Sequence, residues 1–324
     1  MARTSLRNIF TLVILCLCVC MLSLPTARAY ELPLGINLGF TSFLDGGPPA
    51  GPGFYFTQYF QYVHSDSFKD KDGNNVLPSF TKPDLNAYIS LSQFIYQSNQ
   101  TVPLTFGGKW GVDLIVPIVG IDLTYSVPNP GFPQTNDPGF GDVLVGPFIQ
   151  WDPIMGKNGP IFMHRIELQT TFPSGRYDSK KQLNPGSNTF TFNPYWAGTL
   201  FITPKWTATT RFHYLWCSEN GDPGGGNRTV QAGQAIHFNY ATEYEVIPKM
   251  LRLGLNGYYL KQLADSEFDG KRRSGTQEQV FAIGPGLLFS FSQNNHLFFN
   301  AYLEMAAENR PQANRYNLRW VHHF

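Results

Sequence analysis

Long hydrophobic runs are scarce in this 324-residue sequence. After residue 25 no segment approaches the roughly 20 uninterrupted apolar residues that a membrane-spanning helix requires, which excludes a polytopic helical membrane protein. Charged residues are also few: they make up 15% of the chain and give a formal net charge of +1. Because no basic excess is available to bind a phosphate backbone, nucleic acid is excluded as a partner.

Cysteine is rare as well, and three of the four cysteines lie within the first 20 positions. Residues 1–29 have the pattern of a cleaved signal peptide: two arginines, an apolar stretch at 9–24, and an A-x-A site at 27–29. A lipoprotein site ending at Cys20 is the alternative. Cleavage removes three arginines and no acidic residue, so the remaining chain has a net charge of −2. Cys217 is then alone, which excludes an internal disulfide.

Aromatic residues are abundant instead, at 15% of the chain, and many of them alternate with polar residues. In the last ten residues, 315–324, aromatic and apolar side chains occupy every second position, and mainly polar side chains lie between them. The same pattern recurs at 162–172, 211–216, 236–246, 251–259 and 297–305. A period of two predicts β-strands with one apolar and one polar face.

The whole chain can be divided into twelve such strands, joined by connections that are alternately long and short. An even strand number with this alternation predicts an all-β, antiparallel, up-and-down transmembrane β-barrel with both termini in the periplasm, and about 10 to 14 strands are compatible with the pattern. The predicted organisation is a signal peptide (1–29), an N-terminal periplasmic segment (30–53) and the barrel (54–324). The predicted strands are 54–64, 84–96, 107–125, 140–151, 160–172, 190–203, 205–216, 234–246, 250–261, 278–291, 296–306 and 314–324.

A secreted soluble β-sandwich also alternates and is the main alternative fold. Its apolar face would be rich in Val, Ile and Leu, whereas here Phe, Tyr and Trp dominate and often lie near strand ends, as in interfacial girdles. The sequence therefore favours a barrel in the outer membrane of a Gram-negative bacterium, with outer-membrane lipids and the barrel-assembly machinery as partners. Trp320, His322 and Phe324 form the predicted assembly signal, because a final strand that ends on an aromatic residue is typical of outer-membrane barrels.

Five short motifs occur in an order that resembles a known family. They are 139–142 (GFGD), 172–178 (FPSGRYD), 184–188 (NPGSN), 257–262 (GYYLKQ) and 282–288 (AIGPGLL). Together they resemble the outer-membrane proteins associated with the meta-pathway of phenol degradation, which are more distantly similar to FadL/TodX-type hydrophobic-compound uptake channels. The resemblance extends from about Gly53 to Phe324. It implies an outer-membrane barrel that passes small apolar or aromatic compounds.

If the aromatic faces contact lipid, the polar faces line the lumen. The lining has five arginines against four glutamates, so it does not select ions by a single sign of charge. These inward charged residues have two possible roles: they form salt-bridge networks that stiffen the barrel, or they contact a solute. The predicted lumen-lining residues are Arg165, Glu167, Gln169, Arg211, His213, His237, Glu243, Glu245, Arg252, Asn256, Asn300, Glu304, Arg315 and Arg319.

The segment before the first strand has apolar residues at even positions and a Gly/Pro-rich run at 46–53. These features predict a strand-like piece followed by a hinge. A lumen plug, a disordered tail and an additional strand are the three interpretations of 30–53. Asp142 is predicted to accept hydrogen bonds from backbone groups at a turn, with a ligand role as the alternative.

Sequence motifs for catalysis are lacking. No Gly-x-Ser-x-Gly motif is present, and the histidines after residue 29 are scattered. Residues 70–75 resemble a calcium loop, but the glycine comes too early and no glutamate follows at the twelfth position, so a solvated turn is predicted. We therefore predict no enzymatic activity, no metal and no cofactor. The predicted function is passive uptake of small hydrophobic or aromatic compounds; the alternative is a closed structural or adhesive barrel that acts through loops such as 173–189.

Overall fold

A computed structural model describes residues 36–48, 50–127 and 131–324. The predicted signal peptide, 1–29, and the first residues of the predicted N-terminal segment, 30–35, lie outside the described residues. No helix in the described part of the chain is long and apolar enough to cross a membrane.

Twelve strands form one closed antiparallel barrel in the described residues. Each strand pairs with the next in sequence, and the last pairs with the first through a register that includes Tyr59 opposite Arg319. The predicted barrel and its strand number are thereby confirmed. The strands are β1 (Gly53–Phe68), β2 (Pro83–Thr101), β3 (Lys109–Tyr125), β4 (Gly139–Phe140 and Leu144–Gln150), β5 (Gly159–Glu167 and Thr170–Thr171), β6 (Thr191–Phe192 and Tyr195–Phe201), β7 (Trp206–Cys217), β8 (Ala235–Ile247), β9 (Leu251–Gln262), β10 (Gln279–Ser292), β11 (Asn295–Glu308) and β12 (Pro311–His323).

Three neighbouring strands are interrupted. β4, β5 and β6 lose regular pairing at 141–143, 168–169 and 193–194. Pro194 contributes to the interruption of β6, because proline has no N–H to donate to the ladder. Backbone hydrogen bonds still link the interrupted strands to their neighbours, for example from the Leu168 N–H to the Pro147 carbonyl at 3.0 Å and from the Asn193 N–H to the Gln169 carbonyl at 2.8 Å.

Connections at the two ends of the barrel differ in length. The turns after β2, β4, β6, β8 and β10 are short, and this end is called the short-turn end. The loops after β1, β3, β5, β7 and β9 are long, so the opposite end is called the long-loop end. Three short strands, Val230–Gln231, Glu267–Phe268 and Lys271–Arg272, pair with one another within these loops. The last connection, between β11 and β12, is short although it lies at the long-loop end.

The outer surface of the barrel is strongly apolar and aromatic. Tyr62 stacks against Tyr88 and Tyr316, with ring centroids 5.2 and 6.3 Å apart. A continuous apolar surface of this kind is unfavourable in water but matches a lipid environment. Further outward and exposed side chains are Phe60, Phe94, Ile118, Ile166, Phe212, Leu255, Leu303, Leu318 and Trp320.

Candidate functional site

Residues 36–48, which we call the N-terminal segment, lie inside the barrel and contact several of its strands. The Gly39 N–H donates to Asn239 Oδ1 of β8 at 3.1 Å, and Ser42 Oγ donates to Asn300 Oδ1 of β11 at 3.1 Å. Further bonds tie the segment to β4, β6 and β12: Gln150 Nε2 donates to the Gly46 carbonyl, the Gly46 N–H donates to Thr199 Oγ1, and Asn317 Nδ2 donates to the Phe40 carbonyl. These bonds satisfy backbone groups that would otherwise be buried without partners.

Apolar side chains and close backbone contacts also hold the segment in the barrel. Leu38 and Phe43 are each 1% exposed, and Phe40 packs edge-on against Tyr59 of β1 with ring centroids 5.8 Å apart. Gly39 has φ +77°, and a Cβ there would lie 2.7 Å from the Tyr302 ring. Glycine therefore permits the close approach at this position.

An ion pair anchors the middle of the segment to the wall. Arg211 of β7 donates from Nε to Asp45 Oδ2 at 2.5 Å and from Nη2 to Asp45 Oδ1 at 2.8 Å. The guanidinium also lies over the Tyr195 ring, 3.9 Å from its centroid. Both charged side chains are largely buried, and a bidentate pair in such a site is among the stronger polar contacts in proteins.

No strand forms within residues 36–48. Of the three interpretations of 30–53, the additional strand is therefore not found within residues 36–48. The segment takes an irregular path because its polar backbone groups pair with wall side chains rather than with a neighbouring strand.

Two cavities lie on either side of the N-terminal segment. The larger has a volume of about 560 Å³ and extends towards the long-loop end. The smaller has a volume of about 290 Å³ and lies towards the short-turn end. Four side chains line both cavities and form the constriction between them: Thr41, Tyr59, Gln93 and Arg211.

The constriction is closed by side-chain hydrogen bonds as well as by the Asp45–Arg211 pair. Tyr59 Oη donates to Gln93 Oε1 at 2.9 Å. Gln93 Nε2 in turn donates to Asp113 Oδ2 of β3 at 2.6 Å. These two bonds link β1, β2 and β3 at the constriction, and the Asp45–Arg211 pair lies beside them.

An apolar wall from β2, β3 and β4 is the main feature of the larger cavity. It includes Ile89, Leu91, Ile115, Val119 and Leu144, joined by Phe40 of the N-terminal segment. The long loops supply the opposite, more polar side. This combination suits a small apolar molecule that has one polar edge.

The inward apolar residues of β2 and β3 were not predicted from the sequence. In β2, Ser90 and Ser92 lie on the outward face, where they exchange hydrogen bonds with Gln58 of β1. The odd-numbered apolar residues, such as Ile89 and Leu91, consequently face inward. The usual rule of apolar out and polar in is locally reversed. The signal in the sequence is that the two mid-strand polar residues of β2, Ser90 and Ser92, are small and uncharged.

The predicted lumen-lining residues all lie on the inner side of the barrel: twelve are buried, and Glu245 and Arg252 are half-buried. Six of the fourteen line a cavity, namely Arg165, Gln169, Arg211, Glu245, Arg252 and Arg319. The others pack mainly against one another. Contact between any of the fourteen and a solute stays a prediction.

Two buried networks account for most of the packed charged residues. Arg165 Nη2 donates to Glu167 Oε2 at 2.8 Å, and Tyr195 Oη donates to the same oxygen at 2.6 Å. On the opposite side of the barrel, Glu304 accepts from Arg315 Nε at 2.9 Å and from Tyr258 Oη at 2.5 Å. In each network a tyrosine and an arginine donate to the same carboxylate oxygen, which partly compensates the cost of burying the charge.

The remaining polar pairs are histidines and asparagines. His213 and His237 stack with ring centroids 4.1 Å apart, and His237 Nε2 lies 3.0 Å from Asn193 Oδ1. Asn300 Nδ2 donates to Asn256 Oδ1. Among the described residues no group of three or more His, Cys, Asp or Glu side chains is placed to hold a metal ion.

Asp142 fastens the loop 173–189 over the larger cavity. Its carboxylate accepts from the Gly175 N–H at 2.8 Å, from the Ser187 N–H at 2.7 Å and from Ser187 Oγ at 2.6 Å. The predicted role in binding backbone donors at a turn is confirmed. In the same loop, burial raises the pKa of Tyr177, and its hydroxyl donates to the Asp222 carbonyl at 2.9 Å.

Asp142→Ala is expected to loosen this loop. Loss of the three bonds should cost the loop about 2 kcal/mol, which corresponds to a roughly 30-fold larger open population. The rate of limited trypsin digestion at Arg176, which lies in the loop, measures this open population. Ser187→Ala, which removes only one of the bonds, should accelerate cleavage much less. Equal cleavage rates in the wild type and Asp142→Ala would contradict the prediction.

The three residues of the predicted assembly signal lie at the end of the chain. Trp320 is outward and 40% exposed, and Phe324 is 74% exposed. His322 Nδ1 lies 2.8 Å from Asn295 Oδ1 of the neighbouring strand. Recognition of these residues by an assembly machinery stays a prediction.

Comparison with known proteins was made on both sequence and structure. A family model described as "Putative MetA-pathway of phenol degradation" matches residues 65–320. An outer membrane channel from Pseudomonas putida F1 is similar in structure, with a TM-score of 0.70, 17% identity, and coverage of 87% of this chain and 98% of that chain. The β domain of the Bordetella autotransporter Brka has a TM-score of 0.47 and 10% identity, over 85% and 100% of the two chains. No curated protein is significantly similar to the chain.

Proposed function

Because the chain belongs to the family of the MetA-pathway of phenol degradation, we propose that it is a passive channel for small hydrophobic or aromatic compounds. The proposed location is the outer membrane of a Gram-negative bacterium, reached through a cleaved signal peptide. The apolar outer surface of the barrel supports this location, since it matches the lipid-facing band of outer-membrane barrels.

The larger cavity is the observation that carries the proposal. Its volume of about 560 Å³ lies in the range of small-molecule pockets, roughly 300–1,000 Å³. The wall from β2 to β4 provides an apolar surface inside a barrel that also contains many buried charged and polar side chains. An interior apolar surface stabilises a solute by removing it from water, and a channel for ions gains nothing from it.

The N-terminal segment is proposed to be a lumen plug. It lies between the two cavities, and the Asp45–Arg211 pair closes the constriction at its centre. Passage therefore requires displacement of the segment or of the side chains beside it. No nucleotide site is proposed, and the chain is proposed to act without catalysis or a cofactor.

The orientation proposed for the barrel places the long-loop end outside the cell and both termini in the periplasm. Outer-membrane barrels have longer extracellular loops and short periplasmic turns, which supports this choice. The larger cavity then opens to the outside, and the smaller one lies on the periplasmic side. Outer-membrane lipids, the barrel-assembly machinery and the solute are the proposed partners.

Uptake of labelled toluene by intact Gram-negative cells tests the function. An outer leaflet of lipopolysaccharide is needed, because phospholipid bilayers are themselves permeable to small aromatics. Cells that make the protein should take up toluene faster than cells with an empty vector, and excess unlabelled toluene should reduce the labelled rate. Heat-modifiable migration on gels verifies that the barrel is folded.

The alternative function is a closed structural or adhesive barrel that acts through its loops. It predicts the same toluene uptake rate with and without the folded protein. That result would exclude the channel.

A further inference from the structure

Arg319 of β12 differs from the other buried arginines in the described part of the chain. It is 6% exposed, yet no carboxylate lies within ion-pair distance and no hydrogen bond to its nitrogens is found among the described residues. Its buried Nε has no partner. By contrast, Arg165, Arg211 and Arg315 each have a carboxylate partner within 3 Å. A buried guanidinium without a counter-charge is costly, so the site favours an anion.

The Arg319 side chain lines the smaller cavity. Its guanidinium carbon lies 3.7 Å from the centroid of the Phe298 ring and 6.0 Å from that of Tyr59. The two rings hold the planar guanidinium in place and leave its donors without protein acceptors. The group is therefore positioned in advance for a planar anion that can accept two parallel hydrogen bonds.

The acidic groups that line the smaller cavity are already paired. Both oxygens of Asp45 are bound by Arg211. Glu245 lies 3.9 Å from Arg252 and accepts the Lys249 N–H at 2.8 Å. These carboxylates do not supply the counter-charge for Arg319.

Two further buried carboxylates nearby in the barrel bind neutral groups instead. Asp113 accepts from Gln93, and Glu243 accepts from Thr207. Neither lies within ion-pair distance of Arg319 in the described residues, and neither lines the smaller cavity. An external anion is the species that matches the guanidinium.

Apolar side chains form much of the wall of the smaller cavity, and polar and charged side chains form the rest. Ile95, Leu288, Phe298 and Val321 line the cavity together with Tyr55. A volume of about 290 Å³ is close to the lower limit of small-molecule pockets, roughly 300 Å³, and suits a single ring with one substituent. Of the four arginines that line the cavity, Arg319 is the one with no carboxylate of the described residues within ion-pair distance, so the cavity favours a ligand with an apolar body and one anionic end.

We propose that the smaller cavity is a binding subsite for apolar monocarboxylates, in which Arg319 pairs with the carboxylate and the apolar wall contacts the ring or chain. The inference rests on the proposed function and narrows one of its substrate classes to apolar compounds that carry a single carboxylate. In the proposed orientation, the acid would occupy this subsite after it passes the constriction.

Binding of benzoate and of benzyl alcohol to the full mature barrel in detergent tests the subsite. The two probes share the ring but only benzoate has a charge at pH 7. Arg319→Gln should weaken benzoate binding at least tenfold and change benzyl alcohol binding less than twofold. Arg319→Lys should keep part of the benzoate affinity, because lysine retains the positive charge but lacks the two parallel N–H donors of the guanidinium. Lys109→Gln removes a positive charge from the short-turn end outside the cavity and should change neither.

Several results would overturn the subsite. Benzoate binding that is equal in the wild type and Arg319→Gln is one of them. Equal weakening of both probes, without rescue by Arg319→Lys, is another, because it indicates a merely structural arginine. If the wild type binds benzyl alcohol but not benzoate, this inference fails and the proposed function stands. If it binds neither probe and toluene uptake is also absent, the proposed function fails.

Discussion

Deletion of residues 36–48 is expected to raise the ion conductance of the barrel by about tenfold or more, because an unobstructed barrel of twelve strands has an aqueous interior. The N-terminal segment separates the two cavities and is hydrogen-bonded to opposite sides of the wall. Its removal joins the cavities and also removes Asp45, which closes the constriction with Arg211. Single-channel recording in planar bilayers measures the effect.

A milder variant gives a graded control for the deletion. Gly39→Ala places a Cβ against the Tyr302 ring and requires a left-handed backbone that alanine adopts poorly. It should produce occasional openings rather than a permanently raised conductance. A deletion variant that folds, shifts on heating in gels and still conducts like the wild type would rule out the plug.

Glu304→Leu is expected to lower the free energy of unfolding by about 3–5 kcal/mol, because it leaves a buried arginine without its counter-charge. The Glu304 carboxylate accepts from Arg315 Nε, Tyr258 Oη and the Ala313 N–H. Tyr258 belongs to β9, and Arg315 and Ala313 belong to β12, so the carboxylate on β11 links three strands. Urea unfolding of the barrel in lipid vesicles, followed by tryptophan fluorescence, measures the loss.

Two further variants distinguish the loss of the buried ion pair from a general destabilising effect of substitution. Glu308→Gln weakens a half-exposed pair with Lys261, 3.5 Å long, and should cost less than about 1 kcal/mol. The double variant Glu304→Leu with Arg315→Met removes both charges and should recover part of the lost stability. If Glu304→Leu unfolds at the same urea concentration as Glu308→Gln, the network does not stabilise the barrel.

The strands could be predicted because one physical pattern governs most of them. In β12, the apolar and aromatic residues Tyr316, Leu318 and Trp320 face out, and Arg315, Asn317 and Arg319 face in, so the alternation is visible in the sequence. The chain has a mean hydropathy of −0.20 because outward apolar residues alternate with inward polar residues in strands such as β12. A large part of the aromatic excess is consequently found on the outer surface.

The interior of the site was less predictable, for two physical reasons. In β3, Ile115 and Val119 face inward, and Leu114 and Ile118 face outward. Because both faces of this strand are apolar, the sequence pattern does not show which face lines the interior. Pairs such as Asp45 with Arg211 join residues 166 positions apart, and no local pattern specifies such a contact. The irregular path of the N-terminal segment depends on wall side chains of this kind.

Photolabelling with a small aromatic diazirine tests most directly whether an apolar solute occupies the interior of the barrel. Adducts mapped by mass spectrometry should lie on Ile89, Leu91 and Tyr59, which line the larger cavity, and excess toluene should suppress them. Tyr88 and Phe94, on the same strand as Ile89, face outward and give the lipid-side signal, which toluene should leave largely unchanged. Adducts confined to Tyr88, Phe94 and other outward residues would contradict the proposed interior solute path.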